Sequence, residues 1–403
     1  MPAVVTGAKT SGEKIEGIWE VSTVYRVTPP PENPELAGGV LAIDLKALAD
    51  NWRFMAEKAG PATCAATVKA DAYGLGLEPV VTTLWAAGCR TFFVALPHEG
   101  AALRRILPEA VIYVLDGLLQ GQAAYYGEHS LRPALASLDE IREWADYCQA
   151  QQARLPAAVH VDTGISRLGL SEAEVRSLAE SSALLGAFRV TLVMSHLACG
   201  DEPGHEMNEI QRKRFDVLRA MLPDAPASLA NSPGTFLGEG FTYDLVRPGI
   251  ALYGGNPFAS RPNPMKPVVS LYAPILQLRS LAEGETVGYG ATWKADRPSR
   301  IAVLGVGYAD GYLRSLSWPA HDGPAQVCIG GSYAPVVGRV SMDTICVDVT
   351  DVDEDFLQRG VRAEIMGAHI TVDEVAKWAG TIAYEILTSL GMRYTRLYAP
   401  ADS

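Results

Sequence analysis

The sequence predicts an α/β fold, a (β/α)8 TIM-type barrel followed by a C-terminal mainly-β domain. From residue 40 to about 250, short apolar runs alternate with amphipathic segments at intervals of about 25 residues, a pattern typical of βα units around a parallel sheet. After about residue 265, β-branched runs are interrupted by Gly and Pro, which indicates a separate β domain. We therefore divide the chain into an N-terminal extension (1–39), a barrel (40–264) and a β domain (265–403).

The candidate strands follow in chain order. In the extension, residues 18–27 alternate in hydropathy and are compatible with one strand. Eight parallel strands favour a closed barrel over an open doubly wound sheet. Eight apolar runs are candidate barrel strands, namely 65–69, 91–96, 111–115, 132–136, 157–161, 189–195, 227–230 and 244–247.

Local signals indicate the helices and the strands of the β domain. Asp44 can cap a helix at 45–58, and Ser171 with Glu174 resembles a capping box before a helix at 175–184. Thr371 can cap a last helix at 372–379. The β-branched runs that we predict as strands are 300–306, 325–329 and 345–349.

The composition limits the class of function. With 48% hydrophobic and 20% charged residues, the 403-residue chain has the composition of a globular protein. Its net charge of -12 disfavours nucleic acid and anionic membranes as partners. The six cysteines form no CxxC pair, so we expect reduced thiols, a cytoplasmic location and no metal site. No run approaches the roughly 18 apolar residues of a membrane helix.

Polar residues follow five of the predicted barrel strands, where barrels of this type gather their chemistry. Read singly, two of these exits have a simpler interpretation, because 162–164 could be a turn and 231–233 a helix start. Read together, they predict one active site at the carboxyl end of the barrel. The residues are Lys69 with Tyr73, Asp162 with Arg167, His196, Asn231 with Ser232, and Arg247 with Gly249.

Lys69, in the run VKADAYG at 68–74, is the most informative of these residues. A lysine that closes a buried strand is costly to desolvate unless its amine is neutralised or covalently bonded, and a Schiff base with a carbonyl cofactor achieves both. The alternative is a strand-end lysine whose amine reaches solvent. Asp71, Tyr73 and two glycines directly behind Lys69 favour the first interpretation.

Short glycine-bearing turns after the last two predicted strands, 232–234 and 247–250, are typical of phosphate sites in barrels. A lysine on the first strand and a phosphate site on the last two describe pyridoxal 5'-phosphate, which is held at its aldehyde and at its phosphate. Arg247 is then the expected neighbour of the pyridine nitrogen. Because arginine keeps its proton, that nitrogen would stay unprotonated and the ring would be a weaker electron sink.

The chain resembles the bacterial alanine racemase family, homodimeric pyridoxal-phosphate enzymes with a barrel and a β domain. The resemblance runs from about residue 40 to 398. Seven motifs carry it: AIDLKAL at 42–48, VKADAYG at 68–74, DTGISRLG at 162–169, RPGIALYG at 247–254, GYG at 288–290, GYADG at 307–311 and GRVSMD at 338–343. The resemblance implies a homodimer with shared active sites that interconverts L- and D-alanine. The D-alanine would be supplied for peptidoglycan.

The resemblance also implies roles for individual residues. Lys69 would carry the cofactor and act as one catalytic base, and Tyr289 of the partner subunit would be the other, because racemisation moves a proton between opposite faces of the α-carbon. Arg247 would contact the ring nitrogen and be hydrogen-bonded to His196. The phosphate would be held by Tyr73, Ser232, Gly249, Ile250 and Tyr384, and Asn231 would be a further cofactor contact.

Arg167 would contact the cofactor's phenolic oxygen and the substrate carboxylate, and Met342 would offer its backbone N–H to that carboxylate. His160, Tyr308 and Asp343 would support the site. The family's substrate corridor finds matches in Asp201, Tyr308, Arg314, Arg339 and Ile382.

Two positions depart from the family pattern. His160 stands where most relatives carry a carbamylated lysine that braces the active-site arginine with negative charge. We expect His160 to stay neutral beside Arg167 and either to accept a hydrogen bond from Arg167 or to share a bound anion with it; a satisfied core histidine is the alternative. Ala383 replaces the usual asparagine before Tyr384.

Three other functions remain open. A serine or broad-specificity racemase is the nearest, because a pocket discriminates one methylene by only about 1–3 kcal/mol. A basic amino-acid decarboxylase would use an acidic partner for the ring nitrogen, and Arg247 argues against it. A non-catalytic cofactor-binding protein would usually consist of the barrel alone, and the β domain with Tyr289 argues against that function.

Overall fold

The first described strand leads directly into a capped helix. The structure is a computed structural model that describes residues 38–399, so the strand predicted at 18–27 lies outside the described residues. Strand β1 (Val40–Asp44) precedes helix α1 (Leu45–Ala59). As predicted, Asp44 caps this helix, because its Oδ1 accepts a hydrogen bond from the Ala47 N–H at 2.8 Å.

Short parallel strands then form the barrel. Strands β3 to β9 pair in chain order, and β10 pairs with β2. Strands β9 and β10 are joined by two hydrogen bonds, from the Asp244 N–H to the Ala227 carbonyl at 3.1 Å and from the Arg247 N–H to the Ala230 carbonyl at 2.9 Å. Because β2 and β3 are successive parts of one strand, eight strand positions close into a ring and the predicted barrel is confirmed. The strands are β2 (Thr63–Cys64), β3 (Ala66–Thr67), β4 (Thr91–Val94), β5 (Val111–Val114), β6 (Arg132–Leu135), β7 (Pro156–His160), β8 (Arg189–Met194), β9 (Ala227–Ser228) and β10 (Leu245–Val246).

The helices of the barrel follow its strands, and small inward residues let the ring close tightly. Inside it, Ala65, Ala134 and Ala158 pack with Phe93 and Tyr113 in a core of their own. The helices are α2 (Lys69–Tyr73), α3 (Leu77–Ala87), α4 (Pro97–Ile106), α5 (Ala123–Glu128), α6 (Leu138–Ala150), α7 (Glu172–Glu180), α8 (Ser182–Ala187), α9 (Glu206–Arg219) and α10 (Glu239–Thr242).

The helix predicted at 175–184 is in fact two helices, α7 and α8. The chain leaves the helical region at Ser181, whose φ and ψ are -96° and 80°. The predicted capping box at the start of α7 is present. The Ser171 hydroxyl accepts from the Glu174 N–H at 3.4 Å, and the Glu174 carboxylate accepts from the Ser171 N–H at 2.9 Å.

The β domain is a second closed sheet. Strands β14, β17, β16, β15, β18 and β11 neighbour one another in that order, and β11 also pairs with β14. The predicted cap Thr371 accepts from the Glu374 N–H at 3.2 Å. The elements are β11 (Val269–Leu281), β12 (Thr286–Val287), β13 (Trp293–Lys294), β14 (Ser299–Leu304), β15 (Gln326–Ile329), β16 (Ser332–Val337), β17 (Ile345–Asp348), β18 (Arg362–Met366), α11 (Val372–Ala379), α12 (Ala383–Thr388) and β19 (Thr395–Ala399).

Strand β1 connects the two parts of the chain. It pairs antiparallel with β11, with Val40 opposite Tyr272, and parallel with β19, with Val40 opposite Thr395. Strand β1 therefore precedes the barrel in sequence but lies in the sheet of the β domain. Within residues 38–399, no helix combines the length and the apolar character of a membrane-spanning segment.

Candidate active site

A cavity of about 390 Å³ opens at the carboxyl ends of the barrel strands. This is the edge at which barrels of this type position their chemistry. The cavity brings together most of the residues predicted from the strand exits and from the resemblance: Lys69, Tyr73, His160, Arg167, His196, Asn231, Ser232, Arg247, Gly249, Ile250 and Tyr384.

Five further residues line the same cavity and were not predicted. Thr67, Leu115, Leu168 and Met194 carry no signal that separates them from core residues. Asp116 directly follows the strand predicted at 111–115, so the criterion of polar residues at strand exits could have found it. Asp162, by contrast, turns its loop, because its Oδ1 accepts from the Gly164 and Ser166 N–H groups at 2.9 and 3.1 Å.

Lys69 lies at the start of an unusual turn. Strand β3 ends at Thr67, so Lys69 does not close the strand as predicted but begins α2. The four residues after it, from Ala70 to Tyr73, have φ values between 54° and 57°. Such a left-handed turn costs roughly 1–2 kcal/mol per residue for L-amino acids, so other contacts must hold it.

Those contacts come from two directions. At the start of the turn, the Glu99 carboxylate accepts a hydrogen bond from the Ala70 N–H at 2.6 Å. At its end, Arg396 donates to the Gly74 carbonyl at 2.8 Å and Tyr398 donates to the Leu75 carbonyl at 3.0 Å. Because both Arg396 and Tyr398 lie on β19, the β domain supports the turn that presents Lys69 to the cavity.

The opposite side of the cavity has the donors that a phosphate needs. The Ser232 hydroxyl accepts from the Gly249 N–H at 2.8 Å and from the Ala251 N–H at 3.3 Å, so its oxygen is held in place and its own proton can be donated to an anion. Gly249 is required here, because a Cβ at this position would lie 2.2 Å from the Tyr73 hydroxyl. The Tyr73 ring stacks on Tyr253 with centroids 4.5 Å apart.

The two tyrosines of the cavity are hydrogen-bond donors at neutral pH. Burial raises the pKa of Tyr73 far above its ordinary value. Burial also raises the pKa of Tyr384 to about 12, with a smaller contribution from Asp201. Both phenols therefore keep their protons and can donate to an anionic oxygen.

Arg247 is 4% exposed and is held from several sides. Its guanidinium donates to the Ser228 hydroxyl, to the Ser195 carbonyl at 2.5 Å and to the Leu229 carbonyl at 3.4 Å. Burial lowers the pKa of Arg247 to about 9, which still leaves the group protonated at neutral pH. This set of partners fixes a cation in the cavity wall.

The expected hydrogen bond between His196 and Arg247 was a wrong prediction. The Arg247 amino groups are engaged by Ser228 and two carbonyls, and His196 Nε2 instead lies 3.5 Å from the Asn231 amide nitrogen. Burial and the adjacent Arg247 hold the pKa of His196 well below its ordinary value. His196 is therefore a neutral neighbour of Arg247.

His160 is 6% exposed, and neither of its ring nitrogens has a hydrogen-bond partner among the described residues. The predicted hydrogen bond from Arg167 is therefore wrong, as is the alternative of a satisfied core histidine. Burial, followed by the charges of Arg247 and Arg167, lowers the pKa of His160 to about 4. The ring is neutral, as expected, and the shared anion remains a prediction.

The residues predicted from the β domain lie outside this cavity. Tyr289, Tyr308 and Met342 are 72%, 41% and 53% exposed, respectively. Backbone hydrogen bonds from Tyr308 to Ser341 and from Ala309 to Met342 join two of their loops. Large apolar side chains with this exposure form an unpartnered face of the single chain.

Other predicted residues support that face or flank the cavity. The predicted residue Asp343 forms an ion pair with Arg393 at 2.8 Å, and Arg393 also pairs with Asp310 at 3.1 Å. The Arg339 guanidinium lies close to the GYG turn, since a Cβ added at Gly290 would be 3.1 Å from it. Arg314 starts a short 3-10 turn in the same domain.

On the cavity side, Ile382 is 61% exposed beside Tyr384, and the Asp201 carbonyl accepts from the Ala259 N–H at 3.2 Å.

Comparisons with known proteins agree with this geometry. Residues 43–257 match the family model described as "Alanine racemase, N-terminal domain". Residues 268–398 match the model described as "Alanine racemase, C-terminal domain". Together these two matches cover most of the chain.

The alanine racemase of Methylobacterium nodulans is 50% identical over 366 residues, which is 91% of this chain and 97% of that protein. The biosynthetic alanine racemase of Agrobacterium fabrum is 46% identical over 368 residues, 90% of this chain and 94% of that protein. Their similarity extends over both domains.

Solved structures give the same result. Alanine racemase from Bartonella henselae with covalently bound pyridoxal phosphate superimposes with a TM-score of 0.86 at 40% identity, over 90% of this chain and all of that chain. The biosynthetic alanine racemase from Pseudomonas aeruginosa gives a TM-score of 0.83 at 35% identity, over 91% of this chain and all of that chain. The chain therefore belongs to the alanine racemase family of enzymes.

Proposed function

We propose that this enzyme interconverts L- and D-alanine with pyridoxal 5'-phosphate on Lys69, in the cytoplasm, and so supplies D-alanine for peptidoglycan. The observation that carries the proposal is one cavity that holds both Lys69 and the hydroxyl donors of Tyr73 and Ser232 beside Gly249. A covalent site for an aldehyde and a site for a phosphate in one cavity match the two ends of this cofactor.

The residues present fit the cofactor. The phosphate site has neutral donors in Tyr73 and Ser232, and Gly249 leaves room that a Cβ would fill. The buried cation of Arg247 would face the ring nitrogen, where it disfavours a second positive charge. Ile250 and Tyr384 would also hold the phosphate, and Asn231 and His196 line the rest of the cavity.

When bound, pyridoxal 5'-phosphate would withdraw electrons from the α-carbon of an amino acid and so make its proton acidic. Lys69 would hold the aldehyde, and its amine would also be the base that removes or returns the proton on one face of the α-carbon. A second group must serve the opposite face.

That second group would be Tyr289 of the partner subunit. In a single chain Tyr289 is 72% exposed and lies outside the cavity, together with Met342. A head-to-tail homodimer would bring this exposed face to the cavity of the other protomer, and each cavity would then be completed by its neighbour. This arrangement accounts for exposed apolar side chains in a chain that otherwise buries its core.

The substrate carboxylate would be held by Arg167 and by the backbone N–H of Met342. Arg167 lines the cavity on the loop that Asp162 turns. The two tyrosines Tyr308 and Tyr384 would narrow the approach to a methyl side chain, which favours alanine. Because one methylene changes binding by only about 1–3 kcal/mol, serine is the natural competitor.

The proposal is tested with an absorbance spectrum, borohydride trapping and assays of alanine, serine and lysine. We expect an absorbance band from the cofactor bound to the lysine, a trapped adduct on Lys69, and racemisation fastest with alanine. Lys69→Ala should lose all three, whereas Lys58→Ala, at an exposed lysine, should retain them. A wild-type protein that stays colourless with the cofactor and gives no adduct at Lys69 would contradict the proposal.

The same assays separate the alternatives. Release of carbon dioxide and an amine would indicate a decarboxylase, and absence of α-proton exchange in deuterated water would indicate a non-catalytic binding protein. A rate with serine or lysine equal to that with alanine would indicate a broad-specificity racemase.

The shared site has its own test. Mixing Lys69→Ala with Tyr289→Phe protomers would produce hybrid dimers with one intact cavity, so about one quarter of the wild-type sites should return after subunit exchange. The separate variants should remain inactive or slow. A mixture no more active than the sum of its parts would argue against shared cavities.

A further inference from the structure

The turn that carries Lys69 begins with an N–H that the backbone of the turn does not satisfy. Within the turn, the Ala72 N–H donates to the Val68 carbonyl at 3.0 Å and the Gly74 N–H donates to the Ala70 carbonyl at 2.8 Å. The Ala70 N–H, directly after Lys69, points instead to a carboxylate on helix α4. That carboxylate belongs to Glu99, which accepts the hydrogen bond at 2.6 Å.

Glu99 holds two loops with its two oxygens. Its second oxygen accepts from the Ala95 N–H at 2.8 Å and from the Leu96 N–H at 3.0 Å, directly before α4. These bonds cap the start of α4, where a negative charge is favoured. One rigid carboxylate therefore joins the exit of β4 to the residue next to Lys69.

Two other glutamates at the same position of a helix allow this link to be compared with ordinary capping. Glu140, the third residue of α6, accepts from the Ala136 N–H at 3.0 Å and reaches the Leu118 N–H of the preceding loop at 3.2 Å. Within residues 38–399, the carboxylate of Glu374, the third residue of α11, bonds only to the backbone N–H and the hydroxyl of Thr371, each at 2.8 Å. Capping therefore does not require a contact with a second loop, and Glu99 makes one at the catalytic turn.

We propose that Glu99 is a positioning residue for Lys69. This inference rests on the proposed function of Lys69 and deepens it. The residues from Ala70 to Tyr73 hold a left-handed conformation that L-amino acids avoid, so the turn persists only while its ends are tied. A charged acceptor on the first N–H of the turn ties one end, and Arg396 and Tyr398 tie the other.

Loss of Glu99 would free the Ala70 N–H, and the turn could then relax toward the right-handed region. Lys69 precedes Ala70 directly, so its amine would leave the position from which it reaches the cavity. A misplacement of about 1 Å in a reacting group costs on the order of 10²-fold in rate. Ser232 and Gly249 lie on different loops and would stay in place, whereas Tyr73 belongs to the turn and would move with it.

The test compares Glu99→Ala, Glu99→Gln and the capping control Glu374→Ala with wild type. Hydrogen exchange is measured on the cofactor-free proteins, followed by the rate at which Lys69 captures pyridoxal 5'-phosphate. We expect Glu99→Ala to raise exchange in residues 70–76 and to slow capture by about 10-fold to 10²-fold. Glu99→Gln keeps the size and one acceptor oxygen, so it should fall between Glu99→Ala and wild type.

Glu374→Ala should leave the hydrogen exchange of residues 70–76 and the rate of cofactor capture unchanged, because the Glu374 carboxylate bonds to Thr371 and not to the turn. The inference is overturned if folded Glu99→Ala, or Glu99→Gln where Glu99→Ala does not fold, retains wild-type exchange at 70–76 or captures the cofactor at the wild-type rate. A wild-type protein that captures no cofactor would contradict the proposed function instead. The exchange measurement would still decide whether Glu99 holds the turn.

Discussion

His160 should make the stability of the cofactor-free enzyme depend on pH, and His160→Gln should remove that dependence. The folded-state pKa of His160 is about 4, below the ordinary value of 6.5, because the ring is buried and faces Arg247 and Arg167. Folding therefore favours the neutral ring. The stabilisation is fully present above about pH 6.5 and is lost as the pH falls toward 4, because the unfolded chain then binds a proton that the folded protein excludes.

The size of the effect follows from these two values. A difference of about 2.5 pKa units corresponds to about 3.4 kcal/mol at full protonation, at roughly 1.36 kcal/mol per unit. Through linkage, about 2 kcal/mol of the free energy of unfolding should be lost between pH 7 and pH 5, and about 3 kcal/mol by pH 4. Because the ring nitrogens lack partners in the described chain, no hydrogen bond offsets this loss.

The assay is urea unfolding of cofactor-free wild type and His160→Gln at intervals between pH 4 and pH 8. Other groups titrate in both proteins, so the difference between the two curves isolates His160. We expect the variant to change less with pH than wild type, by about 2 kcal/mol between pH 7 and pH 5. His98→Gln, at an exposed position, is the control and should follow the wild-type curve. Parallel wild-type and His160→Gln curves would refute the assignment of a buried neutral ring.

Three more changes probe the cavity. Tyr289→Phe should leave cofactor uptake intact and slow racemisation by roughly 10²-fold or more, with unequal losses in the two directions. Initial rates measured from L-alanine and from D-alanine would show these losses. Equal and minor losses would argue against a role of Tyr289 as a base. Ser232→Ala removes the acceptor for the Gly249 and Ala251 N–H groups, so the free energy of unfolding, measured with urea, should fall by about 1–3 kcal/mol. The Kd for the cofactor, measured by titration, should rise. If His160 and Arg167 share a small anion, replacing a bulky organic anion by chloride at constant ionic strength should raise kcat/KM. Identical values of kcat/KM in the two salts would remove the shared-anion hypothesis.

The barrel could be predicted from the sequence because its strands and helices are coded locally. Each apolar run from 91–96 to 189–195 overlaps the strand that forms there to within one residue at its start, since hydropathy and β-branching act over neighbouring residues. The caps Asp44, Ser171 and Thr371 also act within three residues. The residues read at the strand exits make up half of those that line the cavity, because parallel strands end at one edge.

Contacts between distant segments were not predictable in this way. Strand β1 pairs with β11 and β19, more than 200 residues away, and nothing in its own sequence indicates these partners. Glu99 looks like an ordinary helix-start residue until the fold brings Ala70 to its carboxylate. The left-handed turn at Ala70 was hidden for the same reason, because ordinary residues adopt it only where outside contacts offset the strain.

The sequence by itself determined the barrel, the β domain, the lysine and the residues suited to a phosphate, since composition and periodicity act over short distances along the chain. Tertiary structure alone decided that His160 is buried without a partner among the described residues, that Arg247 bonds to Ser228 and not to His196, and that Tyr289 is exposed outside the cavity of its own chain. Burial, hydrogen-bond partners and exposure depend on segments that meet only after folding, and no local pattern encodes them.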